Sequence, residues 1–464
     1  MKLPEEFTEY TSRLMDGSLF GRLSNGLAQL PPVNIRINPL KCNSDTVCIE
    51  GFKRAVQWCP ATGAYLNDRP AFTFDPLLHC GVYYVQEASS MFIDHVIRQT
   101  VSEPVVMLDL CAAPGGKSTA CRATLPEGSL LICNEPIRTR ANILSENIQK
   151  FGHQDVIVTN NYPRDFRKSG IDFDVILADV PCSGEGMFRK DMNAIAEWSI
   201  QNVETCRRLQ RDIISDIWPC LKPGGIMIYS TCTFNAKENE ENVEWIASEL
   251  GAEFIKINTE EEWNITGAMK SDIPAYRFIP GVSEGEGLFM CVMRKNGHYD
   301  SDYKKTTTKP RNKDKGTISL PLKDSERFEA IKKNDRIIAI PKSWTHIYNA
   351  ATKKLNVIHA GITIGTRKAG KIIPDQSLAL SVCLDRSKYC CVEVSYTEAL
   401  AYLRKEAITL PPDVPKGIVL LTYRNVPLGF GKNIGNRMNN LYPQEWKIKS
   451  SHTPENNNIT ITQL

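Results

Sequence analysis

Between residues 105 and 295, short apolar runs alternate with segments of helical spacing. "VVMLDL" (105–110), "SLLICNE" (129–135), "DVIVTN" (155–160), "DVILADV" (174–180) and "GIMIYSTC" (225–232) have the length and β-branched content of buried strands. "TRANILSENIQKFG" and "VETCRRLQRDIISDIWPCL" lie between them with apolar residues at helical intervals. "KPGG" (222–225) reads as a turn delivering the chain into the fifth run, and "LFMCVMRK" (288–295) as a late strand. Strand and helix in alternation predict a doubly wound α/β sheet, whose ligands sit at the carboxyl ends of the strands.

Outside this block the pattern changes. Residues 296–317, "NGHYDSDYKKTTTKPRNKDKGT", are polar, basic and almost free of apolar side chains, which predicts a linker. A softer boundary falls in "NDRPAFTFDP" (67–76). The expected organisation is therefore 1–75, a small N-terminal α+β appendage; 76–297, the α/β domain; 298–320, the basic linker; and 321–464, a C-terminal region. A length of 464 residues suits several domains. No apolar run approaches a membrane span, and "MKLPEEFTEYTSRLM" lacks the apolar core of a secretory signal, so a cytoplasmic chain is expected.

Charge separates the halves. Residues 301–464 hold 27 Lys+Arg against 14 Asp+Glu, while residues 1–300 hold 29 against 39. The basic end is the one suited to a polyanion. The 15 cysteines include no CxxC pair, so neither a zinc site nor a disulfide framework is expected, and most of the thiols read as small core residues.

Two cysteines ask for more. The first strand runs into "DLCAAPGGKST" (109–119), a small-residue loop followed by a helix, and Glu135 closes the second strand. A loop that admits close backbone approach, with an acid at the next strand end, fits a nucleoside-containing cofactor. The fourth strand ends in "ADVPCSGEGMFRKD", with Asp179 and Cys182, and the fifth in "STCTF", with Cys232. If these strands are neighbours, their ends lie roughly 5 Å apart and both thiols face one pocket. Either thiol can then be the nucleophile.

"DLCAAPGGKST", "NEP", "LADVPCSGEGMFRKD" and "YSTCTFNAKENEENV" resemble, in order, the motifs of the Sun (Fmu, NOP2-type) family of RNA 5-methylcytosine methyltransferases, and "PPVNIRINPLK" and "YYVQEASSM" resemble its upstream segments. The tail "GIVLLTYRNVPLGFGKNIGNRMNNLYPQEWKI" resembles the PUA-like region of the bacterial RsmF (YebU) branch. The resemblance implies a Rossmann-like methyltransferase core and S-adenosylmethionine held by Cys111, Ala112, Ala113, Pro114, Gly115, Gly116 and Lys117, with Glu135 on the ribose and Asp179 near the methionine end. One departure is that "TNNYPRDF" lacks the acid that many members carry after the third strand, which leaves the adenine contact unassigned.

The family pattern implies attack on cytosine C6 by Cys232 and release assisted by Cys182. DNA cytosine methyltransferases use a Pro-Cys nucleophile, so the reverse assignment stays open. Activation of Cys232 is expected from a helix beginning just past it, or from Lys117. Asp179 is either a protonated donor to cytosine N3 or a hydrogen-bond acceptor. Arg36, Arg189, Lys190, Lys432 and Arg437 are the candidate RNA contacts, with Arg189 and Lys190 alternatively ordering the pocket; Trp446 is either core or a stacking platform. The expected substrate is small-subunit 16S rRNA, free or within the subunit, bound by a monomer with no DNA, membrane or metal partner. The same chemistry on tRNA, or a non-catalytic RNA-binding assembly factor, are the alternatives.

Overall fold

The structure is a computed structural model that describes residues 3–43, 46–297, 319–452 and 459–463. The expected linker, 298–320, lies almost wholly outside the described residues. The centre is a nine-stranded mixed sheet. Its strands are β1 (Val106–Asp109), β2 (Leu130–Asn134), β3 (Val156–Thr159), β4 (Phe173–Asp179), β5 (Leu221–Thr231), β6 (Ala252–Ile255), β7 (Ala275–Phe278), β8 (Leu288–Lys295) and β9 (Val357–Ala360). The order runs β6-β8-β5-β4-β1-β2-β3-β9, with β7 paired to β8. β1 to β5 are mutually parallel, and β6, β7, β8 and β9 join antiparallel. The chain moves outward from β1 in both directions, so the switch point lies between β1 and β4, where open α/β sheets bind ligands.

Alternate side chains of each parallel strand enter opposite cores. Leu108, Ile132, Ile176 and Met227 face one cluster; Met107, Leu131, Val175 and Ile228 face the other. Cover on both faces is why these strands read as continuous apolar runs. The helices that matter to the site are α1 (Gly116–Thr124), α2 (Arg138–Phe151), α3 (Ile200–Ile217) and α4 (Glu240–Leu250). "KPGG" is not a turn before β5 but a bulge inside it: pairing to β4 shifts between Leu221 and Ile226, and Gly224 takes φ +75°.

The N-terminal region has two helices, Glu5–Leu14 and Gly17–Ala28, and a four-stranded antiparallel sheet. Its edge strand, Tyr83–Val85, pairs with Val33–Ile37 and so lies beyond the expected boundary at residue 75. The Pro- and Asp-rich stretch there forms short helical turns, Phe72–Phe74 and Pro76–His79, and the chain then returns to the same sheet. The C-terminal region is two sheets, one spanning Phe328–Pro374 and one spanning Cys390–Asn440, and between the strands of the first the chain sends β9 to the edge of β3. A shared core of Ile35, Ile37, Leu77 and Val82 with Leu400, Leu403, Val419 and Leu421 joins the two ends of the chain. No helix among the described residues is long and apolar enough to cross a membrane.

Candidate active site

The glycine loop is fixed from three sides. Leu110 N donates to Leu177 O (2.9 Å) and Ala112 N to Asn134 O (2.8 Å), and Asn147 Nδ2 of α2 donates to Pro114 O (2.8 Å). Gly115, which precedes α1, has φ +116°, and a Cβ there would meet Leu144 Cδ1 at 3.3 Å. Only glycine holds that turn without strain. Beneath the loop Asp109 is fully buried; Ser118 Oγ donates to its Oδ2 (2.6 Å) while Oδ1 has no partner. Burial raises this carboxyl to about 7.

Glu135 is 1% exposed, accepts from Ile137 N (2.9 Å) and faces the Arg140 guanidinium at 3.4 Å. After β3, Asn160 Nδ2 donates to Glu135 O (2.8 Å) and Pro136 O (2.9 Å), and Asn161 Oδ1 accepts from Asn356 N (2.9 Å). Their amides serve the protein, whereas Ile137, two residues past the acid, and Tyr162, in the loop after β3, are left exposed. A partnerless buried oxygen, a strand-end acid, an N-terminal helix turn and exposed apolar surface beside it fit a nucleoside carrying a charged tail.

The thiols meet as the topology predicts. β4 and β5 are neighbours with Asp179 opposite Ser230, and Cys182 Sγ lies 3.2 Å from Cys232 Sγ. Gly186 N donates to Cys232 O (2.7 Å), and a Cβ on Gly186 would come within 2.7 Å of that oxygen. Hydrogen bonding to Cys232, burial, and the charges of Cys232 and Glu238 hold the Cys182 thiol well above the ordinary range. Lys117 Nζ pairs with Asp179 Oδ2 (2.8 Å), and Ser230 Oγ donates to Asp179 Oδ1 (2.7 Å). Both oxygens of Asp179 therefore accept, which favours its acceptor reading. Burial opposes charge on Lys117, but Asp179 and Cys232 outweigh it and the ammonium is stabilised.

Two acids not singled out in the sequence lie behind the thiols. Glu238, fully buried, accepts from Ser183 N (3.0 Å), Gln210 Nε2 (2.6 Å) and Asn235 Nδ2 (2.8 Å). Glu185, also fully buried, accepts from Phe234 N (2.5 Å), Asn235 N (3.0 Å) and Trp198 Nε1 (3.0 Å). The signal available in sequence was an acid in each cysteine loop, "CSGEG" and "NAKENEEN". α4 does not begin just past Cys232; it starts at Glu240, after the turn that carries Asn235 and Glu238.

The candidate RNA contacts divide. Arg36 is 2% exposed, donating to Gln86 Oε1 (2.8 Å) and Thr119 Oγ1 (2.6 Å), so it joins the N-terminal sheet to α1 instead of facing solvent. Arg189 donates to Gly285 O (2.5 Å) and Lys190 pairs with Glu286 (2.5 Å), which orders the loop after Cys182. Lys432 is exposed on a strand of the Cys390–Asn440 sheet, and Arg437 is exposed in the turn before that sheet's last strand. Trp446 packs against Tyr442, with the Lys150 ammonium 5.7 Å from its ring, as part of a core.

A Rossmann-like sheet with this loop after β1, an acid after β2 and the thiol pair after β4 and β5 defines an S-adenosylmethionine-dependent methyltransferase. Residues 99–294 match the family described as 16S rRNA methyltransferase RsmB/F, residues 3–88 the N-terminal domain of 16S rRNA methyltransferase RsmF, and residues 390–448 the methyltransferase RsmF PUA domain. The chain belongs to the RsmB/F methyltransferase family. It is 30% identical over 446 residues to the ribosomal RNA small subunit methyltransferase F of Aliivibrio fischeri, covering 89% of this chain and 90% of that one. It is 28% identical over 467 residues to the protein of that name from Cronobacter sakazakii, covering 96% of each. Among solved structures, a methyltransferase homologue from Pyrococcus horikoshii shares the fold with TM-score 0.52 and 24% identity, over 63% of this chain and 100% of that one. NSun6 from Pyrococcus horikoshii with SFG does so with TM-score 0.54 and 18% identity, over 64% and 99%.

Proposed function

We propose that this protein methylates cytosine C5 in small-subunit (16S) ribosomal RNA through a covalent bond between Cys232 Sγ and cytosine C6. The observation that carries the reading is the thiol pair, 3.2 Å apart, just past the ends of the neighbouring strands β4 and β5 and next to the switch point. The names of the relatives and the match to the RsmF PUA domain support rRNA as substrate.

S-adenosylmethionine supplies an electrophilic methyl group. The loop from Cys111 to Lys117 would hold it, with Glu135 on the ribose hydroxyls, Asp109 Oδ1 and Asp179 as acceptors near its charged end, and Ile137 and Tyr162 beside the base. Cytosine C5 is a poor nucleophile until sulfur adds to C6. The Cys232 thiolate, facing Lys117 and accepting from the Cys182 S–H, forms the C6–S bond and places electron density on C5. Once C5 has taken the methyl group, its proton leaves to water, the C6–S bond breaks, and Cys182 donates to the departing Cys232 sulfur. The target base must leave its stack for sulfur and methyl donor to reach it. Lys432 and Arg437 would contact phosphates beyond it.

The test is an adduct gel with small-subunit rRNA and S-adenosylmethionine. Cys182→Ala is expected to leave a persistent protein–RNA adduct, and Cys232→Ala none. The opposite pattern makes Cys182 the nucleophile; adducts with tRNA and not rRNA keep the chemistry and move the substrate.

A further inference from the structure

The two cysteines are chemically the same group, three ångströms apart, and something must decide which is thiolate and which is thiol. We propose that the buried pair Glu185 and Glu238 is a reciprocal carboxylate clamp that assigns these roles, with Glu238 seated against the Cys182 loop so that Cys232 is left as the nucleophile. The inference rests on the reading of Cys232 as nucleophile.

The geometry is reciprocal. Glu185 belongs to the Cys182 loop and takes the backbone N–H groups of Phe234 and Asn235, from the Cys232 loop. Glu238 belongs to the Cys232 loop and takes the backbone N–H of Ser183, next to Cys182. Asn235 Nδ2 bridges them, 3.0 Å from Glu185 Oε1 and 2.8 Å from Glu238 Oε1. Each loop is thus anchored by an acid of the other, which fixes the sulfur separation.

The clamp is also asymmetric. Glu238 straddles Cys182: it binds Ser183 N on one side, and Gln210 Nε2, which it shares with Pro181 O (2.9 Å), on the other. Negative charge there opposes a second negative charge on Cys182. On the far side, the Lys117 ammonium couples to Cys232. The groups facing Glu238 are Glu185 from the Cys182 loop, Tyr229 of β5 (hydroxyl donating to Glu238 O, 2.7 Å), Cys206 of α3 and the thiols, while Tyr10 of the first helix faces Glu185. Lys237 is paired with Glu204. Burial and Glu185 bring Glu238 to about 7, so it is ionised above neutrality, where thiolates form.

The experiment is alkylation by iodoacetamide with peptide mass spectrometry, and it needs no RNA. In wild type at pH 8, Cys232 should be labelled at least about tenfold faster than Cys182; equal rates overturn the proposal. In Cys232→Ser, the pH midpoint for Cys182 labelling should fall by about one unit on adding Glu238→Gln, and stay within a fraction of that on adding Glu238→Asp. A midpoint that does not fall with Gln, or falls equally with Asp, assigns the acid a packing role only and overturns the proposal. A loosened loop would raise the rate at every pH without moving the midpoint. Because labelling reads thiol order and the adduct gel reads the reaction, failure of this inference and failure of the proposed chemistry are separable.

Discussion

At the scale of single residues, burial decides which groups hold charge. Asp109 is fully buried beneath the glycine loop with one oxygen lacking a partner, and burial raises its carboxyl to about 7. Between its unfolded and folded values the native state binds the extra proton, so stability from this group is full below about 4 and is lost as pH rises through 7. Asp109→Asn should therefore stabilise the chain at pH 8 by up to a few kcal/mol and leave it unchanged at pH 4, read by urea unfolding, while weakening cofactor binding. The sequence made Cys182, Cys232, Glu135 and Asp179 legible because each sits at or just past a strand end, and Lys117 because it opens the helix after the glycine loop. It hid Glu185 and Glu238, whose partners are backbone N–H groups on another loop, and it misplaced Arg36, since a positive charge in a strand carries no mark of what covers it.

Elements show the same division between local and distant causes. The runs that read as strands became strands, and "TRANILSENIQKFG" became α2, because period and β-branching are local properties. α2 ends locally at Gly152, whose φ of +87° lets its N–H donate to Ile148 O (3.1 Å), but the carbonyls this leaves over are not met locally. Its last carbonyls are met from the N-terminal region: Lys41 Nζ donates to Lys150 O (2.6 Å) and Cys80 O (2.7 Å), and Asn38 Nδ2 to Phe151 O (3.0 Å) and Gly81 O (2.8 Å). "NPLK" gives no hint of a helix cap more than a hundred residues on. Asn38→Ala should cost about 1–3 kcal/mol of unfolding free energy, since it strands buried carbonyls. Burial lowers Lys41 to about 7. Protons are then bound more by the unfolded chain between 7 and the ordinary lysine value, so stability rises with pH across that window. Lys41→Met should flatten that rise in an unfolding series from pH 7 to 10.

The whole molecule is tied by its ends. The last strand, Ile461–Gln463, pairs with Cys48–Ile49, and Thr460 N donates to Asp75 Oδ2 (2.7 Å). The C-terminal region also reaches the catalytic sheet, where β9 pairs with β3 and Asn356 holds Asn160 and Asn161. Asn160 in turn donates to the backbone carbonyls of Glu135 and Pro136, so a strand far along the chain supports the proposed cofactor pocket. His359→Pro breaks that pairing opposite Val158 and should weaken S-adenosylmethionine binding about tenfold in calorimetry, whereas His359→Ala, which keeps the strand and loses only the imidazole's packing and its hydrogen bond to the Gly361 backbone, should weaken it less. None of this was legible in advance, because a four-residue strand after a basic linker has no partner inscribed in its own pattern.

That late strand also bears on synthesis. Until residues 357–360 emerge from the translating ribosome, the nascent chain carries a bare row of amides and carbonyls along the outer edge of β3 (Val156–Thr159). An open edge of this kind recruits other strands. Translation arrested between residues 300 and 350 should thus yield a nearly complete catalytic domain that clings to chaperones and its own copies.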